Sequence, residues 1–315
     1  MDQKRYDVVV IGGGPGGYTA GLYCARSGRS VAVLEKLSPG GQMATTGIVE
    51  NYPGFEDGVD GFELGEKMER QASRFGVETV YAEVTAVDLT ASPKRIDSSE
   101  GTFWADAVVL ATGAYPRELG LPGERELRGR GVAYCATCDG MFFRDKTVAV
   151  NGGGNTAVEE ALYLAKLCKK VYLIHRRDSL RASAVYRGAL DEAGVEILWN
   201  SRVTALRRDG RLTGVELEDV VSGQRRELAC DGLFVAVGRV PDTALFAGQA
   251  ELDGSGYLVA DETTRTSLPG VFAVGDVRTK AVRQIITAAA DGAVAAHFVE
   301  EYLLNLEHGK AGNAS

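Results

Sequence analysis

The chain has 315 residues, enough for two domains with substantial cores. Its 35 basic and 43 acidic residues give a net charge of −8, which argues against general nucleic-acid affinity, and no apolar run reaches membrane-spanning length. Five cysteines are too few and odd in number for a disulfide scaffold, and the N-terminus lacks a signal-peptide layout, so a reducing cytoplasm is the expected compartment and a disulfide there would be catalytic.

The run Tyr6-Asp7-Val8-Val9-Val10-Ile11 predicts a short buried parallel strand. Gly12-Gly13-Gly14-Pro15-Gly16-Gly17 follows and leads into a helical stretch through Ala20, Leu22 and Ala25. The spacing Gly12, Gly14, Gly17 fits a dinucleotide-binding turn: the first glycine permits the tight turn, the second lets a pyrophosphate approach, the third lets helix and strand pack closely. The helix start supplies amides for the phosphates. Val31–Leu34 reads as the second strand. It ends at Glu35, about twenty residues past the last glycines, where an acid should bind a ribose hydroxyl. Cys24, inside the helix, reads as core.

Gly40-Gly41-Gln42-Met43 and Val49–Gly54 form a loop-rich stretch of turns, with amides able to bind a polar ring. A helix is predicted over Phe62–Phe75, from Leu64, Met68 and Ala72. Strands follow around Val80–Val87 and Thr102–Trp104, and a buried strand at Ala107–Leu110 ends in Ala111-Thr112-Gly113-Ala114. Pro116, Pro122 and Gly123 then mark a crossover to a second domain.

Cys135-Ala136-Thr137-Cys138-Asp139-Gly140 is the stretch the rest of the chain serves. Two cysteines at this spacing read as a redox pair or half of a zinc site. Zinc needs four ligands, yet Cys24, Cys168 and Cys230 are isolated in sequence, as are His175, His297 and His308. A redox pair suits the stretch better, and no metal is expected. A helix starting here would favour a thiolate. Asp139 could move the proton that thiol–disulfide chemistry requires; otherwise Asp139-Gly140 is a turn signal.

Lys146–Val150 reads as a strand feeding Gly152-Gly153-Gly154-Asn155-Thr156-Ala157, the same fingerprint with Ala157 in the third glycine position. The next strand, Val171–Ile174, is followed by His175-Arg176-Arg177, with Arg181 further on, instead of an acid. Arginines in that place favour a 2′-phosphate, hence NADPH over NADH; the alternative is a solvated basic turn. Phe234–Arg239 reads as a strand leading to the return crossover. Val271–Asp276 is a strand ending in an acid, placed to bind a cofactor hydroxyl or simply to turn. Ala288, Ala289, Ala290, Ala293, Ala295 and Ala296 suggest a tightly packed helix, with a frayed tail after Leu306.

Together these motifs resemble the low-molecular-weight thioredoxin reductases, flavoproteins of the pyridine nucleotide–disulfide oxidoreductase superfamily, over nearly the whole chain. The specific part is Cys-Ala-Thr-Cys-Asp-Gly just before Gly-Gly-Gly-Asn-Thr-Ala and His-Arg-Arg. The resemblance implies an α/β fold of two Rossmann-like dinucleotide-binding domains, the second inserted into the first: residues 1–116 and 241–315 for FAD, residues 117–240 for NADPH and the cysteine pair. It implies that Gln42, Asn51, Gly275, Asp276, Arg283 and Gln284 lie near FAD. The expected cofactor set adds Gly12, Gly14, Pro15, Gly17, Glu35, Thr112 and Gly113 for FAD, and Gly152, Gly154, Asn155, Thr156, His175, Arg176, Arg177 and Arg181 for NADPH. It further implies a homodimer whose partner is thioredoxin, with Cys138 facing the flavin and Cys135 attacking the partner. A reductase for another dithiol protein and a flavin-binding redox sensor are the rival functions. Arg130, Phe142 and Phe143 flank the pair as a docking surface, or as core. Because the pair sits centrally, rotation of the inserted domain is expected, hinged near Thr112-Gly113-Ala114 and Gly238-Arg239-Val240. Asn151, Leu180 and Ile285 depart from the family pattern, which expects an aliphatic, an aromatic and an alanine there.

Overall fold

The opening apolar run forms the strand Lys4–Ile11, and a seven-stranded sheet is built around it. Its order is Glu78–Tyr81, Val31–Glu35, Lys4–Ile11, Gly101–Leu110, Lys94–Ser98, Val84–Asp88, with Val271–Ala273 also paired to Gly101–Leu110. This computed structural model describes residues 4–182 and 185–312. Its helices in the described residues are α1 (Pro15–Arg26), α2 (Gly61–Ser73), α3 (Ala136–Asp139), α4 (Asn155–Ala165), α5 (Val185–Glu192) and α6 (Ile285–Gly312).

Lys4–Ile11 pairs in parallel with both neighbours, while Lys94–Ser98 and Val84–Asp88 add an antiparallel edge. Val8 and Val10 pack with Tyr18, Ala20 and Cys24 of α1 and with Ala295, Val299 and Leu303 of α6. Val9 and Ile11 point the other way, against Leu34, Leu110, Phe246 and Leu258. A strand covered on both faces has no position for a polar side chain, so its sequence reads as one apolar run. Each such buried aliphatic contributes about 1.5–3 kcal/mol.

The chain divides into two units, Met1–Tyr115 with Val240–Ser315, and Pro116–Arg239. The second holds a five-stranded parallel sheet in the order Val132–Ala133, Gly232–Ala236, Thr147–Gly152, Lys170–Ile174, Glu196–Leu198. Val148 and Val150 pack on Ala157, Ala161 and Leu164 of α4 and Leu190 of α5. Ala149 faces Leu212, Val215 and Leu217 of an antiparallel ribbon, Ser201–Asp209, Arg211–Asp219 and Arg225–Ala229.

Several elements differ from expectation. Thr102–Trp104 and Ala107–Leu110 belong to one continuous strand, Gly101–Leu110, because Ala105 between them is buried and in register with Tyr6. Helix α2 begins at Gly61, where Asp60 accepts hydrogen bonds from the Phe62 and Glu63 amides, a cap contributing about 0.5–2 kcal/mol. The expected frayed tail is corrected: α6 continues to Gly312, with Leu303 in the core and Arg29 paired to Glu300 at 2.7 Å and Glu307 at 2.5 Å. Asn151 lies inside the Thr147–Gly152 strand opposite Ile174 and Val235, so the strand runs through it unbroken. Ile285 packs beside Met43, Val49 and Leu64, and Leu180 against the α4–α5 core.

Candidate active site

The chain leaves Lys4–Ile11 at Gly12, where φ is 108° and a Cβ would lie 2.4 Å from the Ala111 carbonyl oxygen, so only glycine fits. Gly17, in α1, packs on the Gly12 carbonyl. Gly14 is the opposite case: a Cβ there would meet nothing within 4 Å. The α1 amides beyond it, with Pro15 where its missing N–H costs nothing, therefore leave an open cradle of the kind a pyrophosphate fills. Glu35 is 9 % exposed and braces this turn: Gly13 N donates to Oε2 at 2.7 Å and Leu37 N to Oε1 at 2.9 Å. Each oxygen keeps a lone pair for a hydroxyl.

Other expected cofactor residues of this unit gather by their own contacts. Gly40 N donates to Gly13 O at 2.8 Å, bringing the Gly41–Thr45 turn that carries Gln42 to the fingerprint. Asn51 Nδ2 donates to Gln284 Oε1 at 3.2 Å. Thr112 Oγ1 donates to Asp242 O at 2.6 Å, and Asp242 N to Gly113 O at 3.0 Å. Asp276 follows Gly275, whose amide donates to Asp291 Oδ2 at 2.9 Å. Asp291 also accepts from Arg278 Nε at 2.9 Å, Arg278 Nη2 at 2.8 Å and Lys280 Nζ at 2.8 Å, all three side chains being at most 9 % exposed. Burial alone would raise the Asp291 carboxyl, but the bonds from Arg278 and Lys280 outweigh it and hold the pKa below the usual range. Arg283 donates to the carbonyls of Asp276, Lys280 and Arg278 and lies 4.0 Å over the Tyr257 ring, so it holds the loop carrying Asp276.

In the second unit, Gly154 caps α4, and Asn155 and Thr156 are exposed at its start. His175 directly follows the neighbouring strand, Lys170–Ile174, and is buried. Its Nδ1 faces Gly152 O at 3.0 Å and its Nε2 faces Ser179 O at 2.9 Å. A Cβ on Gly153 would lie 2.1 Å from the imidazole, so the ring fills the space over that glycine. Burial pushes the His175 pKa down, the two carbonyls oppose it, and Arg177 and Arg181 add to the lowering. His175 thus braces the loop, while Arg176, Arg177 and Arg181 are exposed beside it. Arg181 N donates to Gly153 O at 2.8 Å and its guanidinium comes 4.0 Å from the Cβ position of Gly154. An exposed guanidinium beside a glycine-rich helix start, with Arg176 and Arg177 exposed after His175, fits a phosphorylated nucleotide.

Cys135 and Cys138 are joined as a disulfide. Cys135 caps the single-turn α3, and both Cys138 N and Asp139 N donate back to Cys135 O. Cys135 Sγ lies 3.4 Å from Thr137 Oγ1. Burial raises the Asp139 carboxyl to about 6, within reach of a proton-carrying role near neutral pH. The remaining thiols are inert by comparison: burial pushes Cys24 and Cys230 up to about 12 and Cys168 to about 11. Of the two alternatives for Phe143 the structure shows the core one: it is 8 % exposed and edge-on to Phe234 at 5.2 Å. Phe142 and Met141 are the exposed neighbours, at 47 % and 41 %.

Some residues at the site carried no motif. Glu124, 2 % exposed, accepts from the amides of Leu119, Gly120 and Leu121 and from Tyr134 Oη, and so anchors the residue before Cys135. Glu160 of α4 accepts from Ala136 N at 3.4 Å. Its signal was a charge three positions after Ala157 and one before Ala161, on the helix's apolar stripe.

The sequence profile of the pyridine nucleotide-disulphide oxidoreductase family matches residues 6–292. The chain belongs to this family. A thioredoxin reductase of Streptomyces clavuligerus is 49 % identical over 304 residues, 95 % of this chain and 94 % of that protein. The solved thioredoxin reductase of Streptococcus pyogenes MGAS5005 is 42 % identical, with a TM-score of 0.89 and coverage of 96 % of this chain and 100 % of that one. That of Lactococcus lactis, described in an FR conformation, is 41 % identical with a TM-score of 0.68, covering 95 % and 99 %. Family membership implies a flavin and a nicotinamide cofactor, which the two open glycine-rich loops fit.

Proposed function

We propose that the chain is a thioredoxin-disulfide reductase that takes electrons from NADPH and delivers them through FAD and Cys135–Cys138 to the disulfide of thioredoxin. The observation that carries this is the Cys135–Cys138 disulfide, followed by the half-buried Asp139, in the same unit as the arginine-flanked nucleotide loop. When bound, the flavin and nicotinamide supply the hydride and electron chemistry. Gly12–Gly17, Glu35, Gln42, Asn51, Gly275 and Asp276 would hold FAD, and Gly152–Thr156 with Arg176, Arg177 and Arg181 would hold NADPH.

Once the pair is reduced, the Cys135 thiolate attacks one sulfur of the thioredoxin disulfide and releases the other as a thiolate. Cys138 then attacks Cys135 in the mixed disulfide, re-forming Cys135–Cys138 and freeing the second thioredoxin thiol. Asp139 carries the proton that these exchanges give up and take back. Phe142, exposed beside the pair, and Arg130 offer the docking contact. The test is thioredoxin reduction by the wild type, Cys135→Ser and Cys138→Ser; each variant should lose it, and full activity in both would refute the assignment.

Cysteine pair and second nucleotide loop share one unit, and both must reach a flavin held by the other. They cannot occupy one face of the flavin together; of the two ways out, opposite faces at once or rotation of the inserted unit, the central place of the pair favours rotation. The crossovers suit hinges: Ala114–Pro116 pairs with Arg239–Pro241, and Gly113 and Gly238 have φ of 75° and 108°. Locking the units in one orientation by a cross-link should leave one half-reaction and block the other; full turnover would exclude rotation. The chain also acts as a homodimer in the cytoplasm, a reading consistent with exposed Tyr23, Ile286 and Val294 on α1 and α6 and with a reducible cysteine pair. Sedimentation at micromolar concentration would reveal a monomer if the dimer is wrong.

A further inference from the structure

Glu160 has no place in the electron path, yet it lies under the cysteine turn. It shares α4 with the buried Ala157, Val158, Ala161 and Leu164. Its Oε1 accepts from the amide of Ala136, the residue after Cys135, at 3.4 Å. Its Oε2 is buried and has no hydrogen-bond partner among the described residues. The turn sits tightly on this helix: a Cβ on Gly140 would come 2.9 Å from Tyr163 and 3.2 Å from Leu164. A carboxylate with one oxygen buried and unpaired is costly, whereas the protonated acid is much less so.

We propose that Glu160 is a positioning residue of the cysteine pair: it holds the Cys135–Cys138 turn through the Ala136 amide, and its own protonation state sets how readily Asp139 and the two thiols ionise. The role presupposes the reductase activity above. Reducing the pair breaks one S–S bond and adds two electrons and two protons. A hydride equivalent from the nicotinamide brings both electrons and one hydrogen, so one further proton must come from solvent. Carboxyls near the sulfurs govern when that proton is held and when it leaves.

The charged groups acting on Glu160 are Asp139 of α3 and Arg239 of the return strand; its neighbour Glu159 is exposed. Burial raises Glu160 to about 7, the Ala136 amide and Arg239 oppose that, and Asp139 reinforces it. Below this pH Glu160 is neutral and the thiols ionise at their own pKa. Above it Glu160 is negative, which disfavours a further negative charge on either sulfur.

The test is alkylation of the reduced, flavin-loaded protein by iodoacetamide from about pH 5 to 9, with modification of Cys135 read by mass spectrometry. The wild type should show a spread curve with two ionisations. Glu160→Gln keeps an oxygen for the Ala136 amide but cannot charge; its curve should collapse to one ionisation, with alkylation at pH 8 about threefold to tenfold faster. Superimposable curves in two folded, flavin-containing proteins overturn the proposal. If Glu160→Gln does not fold, Glu160→Asp decides: a displaced second ionisation supports the role and an unchanged curve refutes it. Because alkylation reads the thiols without thioredoxin, this failure is distinct from failure of the reductase assay.

Discussion

In the first nucleotide loop the side chain that ends the second strand, Glu35, accepts a hydrogen bond from Gly13; in the second loop the side chain at the same place, His175, faces the carbonyls of Gly152 and Ser179. Each side chain lies over the middle glycine, where a Cβ would come 3.0 Å from Glu35 Oε2 or 2.1 Å from the His175 ring. The turn is therefore the same and the brace is opposite in chemistry. A carboxylate that accepts one amide per oxygen still has lone pairs to receive a hydroxyl. An imidazole whose two nitrogens are both turned to the backbone has nothing left for a ligand. On the proposed reading, selectivity in the second loop falls to Arg176, Arg177 and Arg181, which are exposed.

The largest effect is expected where the second unit carries something the first lacks, the cysteine pair with Asp139. Asp139→Asn keeps size and turn preference but cannot titrate, and should slow thioredoxin reduction by about 10²–10⁴-fold. Since burial lifts Asp139 to about 6, its acid form is present below that pH and vanishes above it. The wild-type rate of disulfide opening should fall as pH rises through about 6, and the variant should lose that fall. A wild-type rate in the variant, measured by stopped flow, would leave Asp139 only a turn residue.

Next comes the buried Arg278–Asp291–Lys280 cluster behind Gly275. Asp291→Asn strands two buried cations and should destabilise the protein by about 3–5 kcal/mol, read by denaturant unfolding. The folded pKa of Asp291 is depressed, so its stabilisation is fully present above the unfolded value of about 3.9 and disappears as pH falls through the folded one. Flavin retention should suffer while the second loop keeps its NADPH preference; loss confined to NADPH binding would contradict the placement.

The arginines sharpen the contrast directly. Arg176→Ala with Arg177→Ala should raise the KM for NADPH far more than that for NADH. One charge-assisted contact contributes about 1.5–3 kcal/mol, roughly tenfold to a hundredfold in affinity. An unchanged NADPH/NADH preference would return these side chains to a solvated turn. Smallest is Glu35→Gln, which sets an amide nitrogen against one of two donating backbone amides. Flavin binding should weaken by about tenfold, with the NADPH KM unmoved; a change in KM alone would mean that the two loops are not separable.

Residues that act through backbone turns and near neighbours were legible in the chain: both glycine fingerprints, Glu35, the His-Arg-Arg run and the cysteine pair. A φ of 108° at Gly12 or a sulfur three residues from its partner is a local constraint, and local constraints leave local patterns. The sequence also separated core from surface wherever a strand was covered on both faces, because Val8 to Ile11 has no choice of side. Only the tertiary structure decided what depends on a distant neighbour. Phe142 and Phe143 are adjacent and alike, yet one is exposed and one meets Phe234. Lys94–Ser98, highly charged, becomes a strand because the edge of Gly101–Leu110 is free to pair. Glu35 and His175 occupy equivalent ends of equivalent strands, but which is free for a ligand follows from whether a backbone amide or a carbonyl faces it. Glu160 and Asp139 become a coupled pair only because α4 packs under α3, since burial and the field of a nearby charge are properties of space, not of sequence.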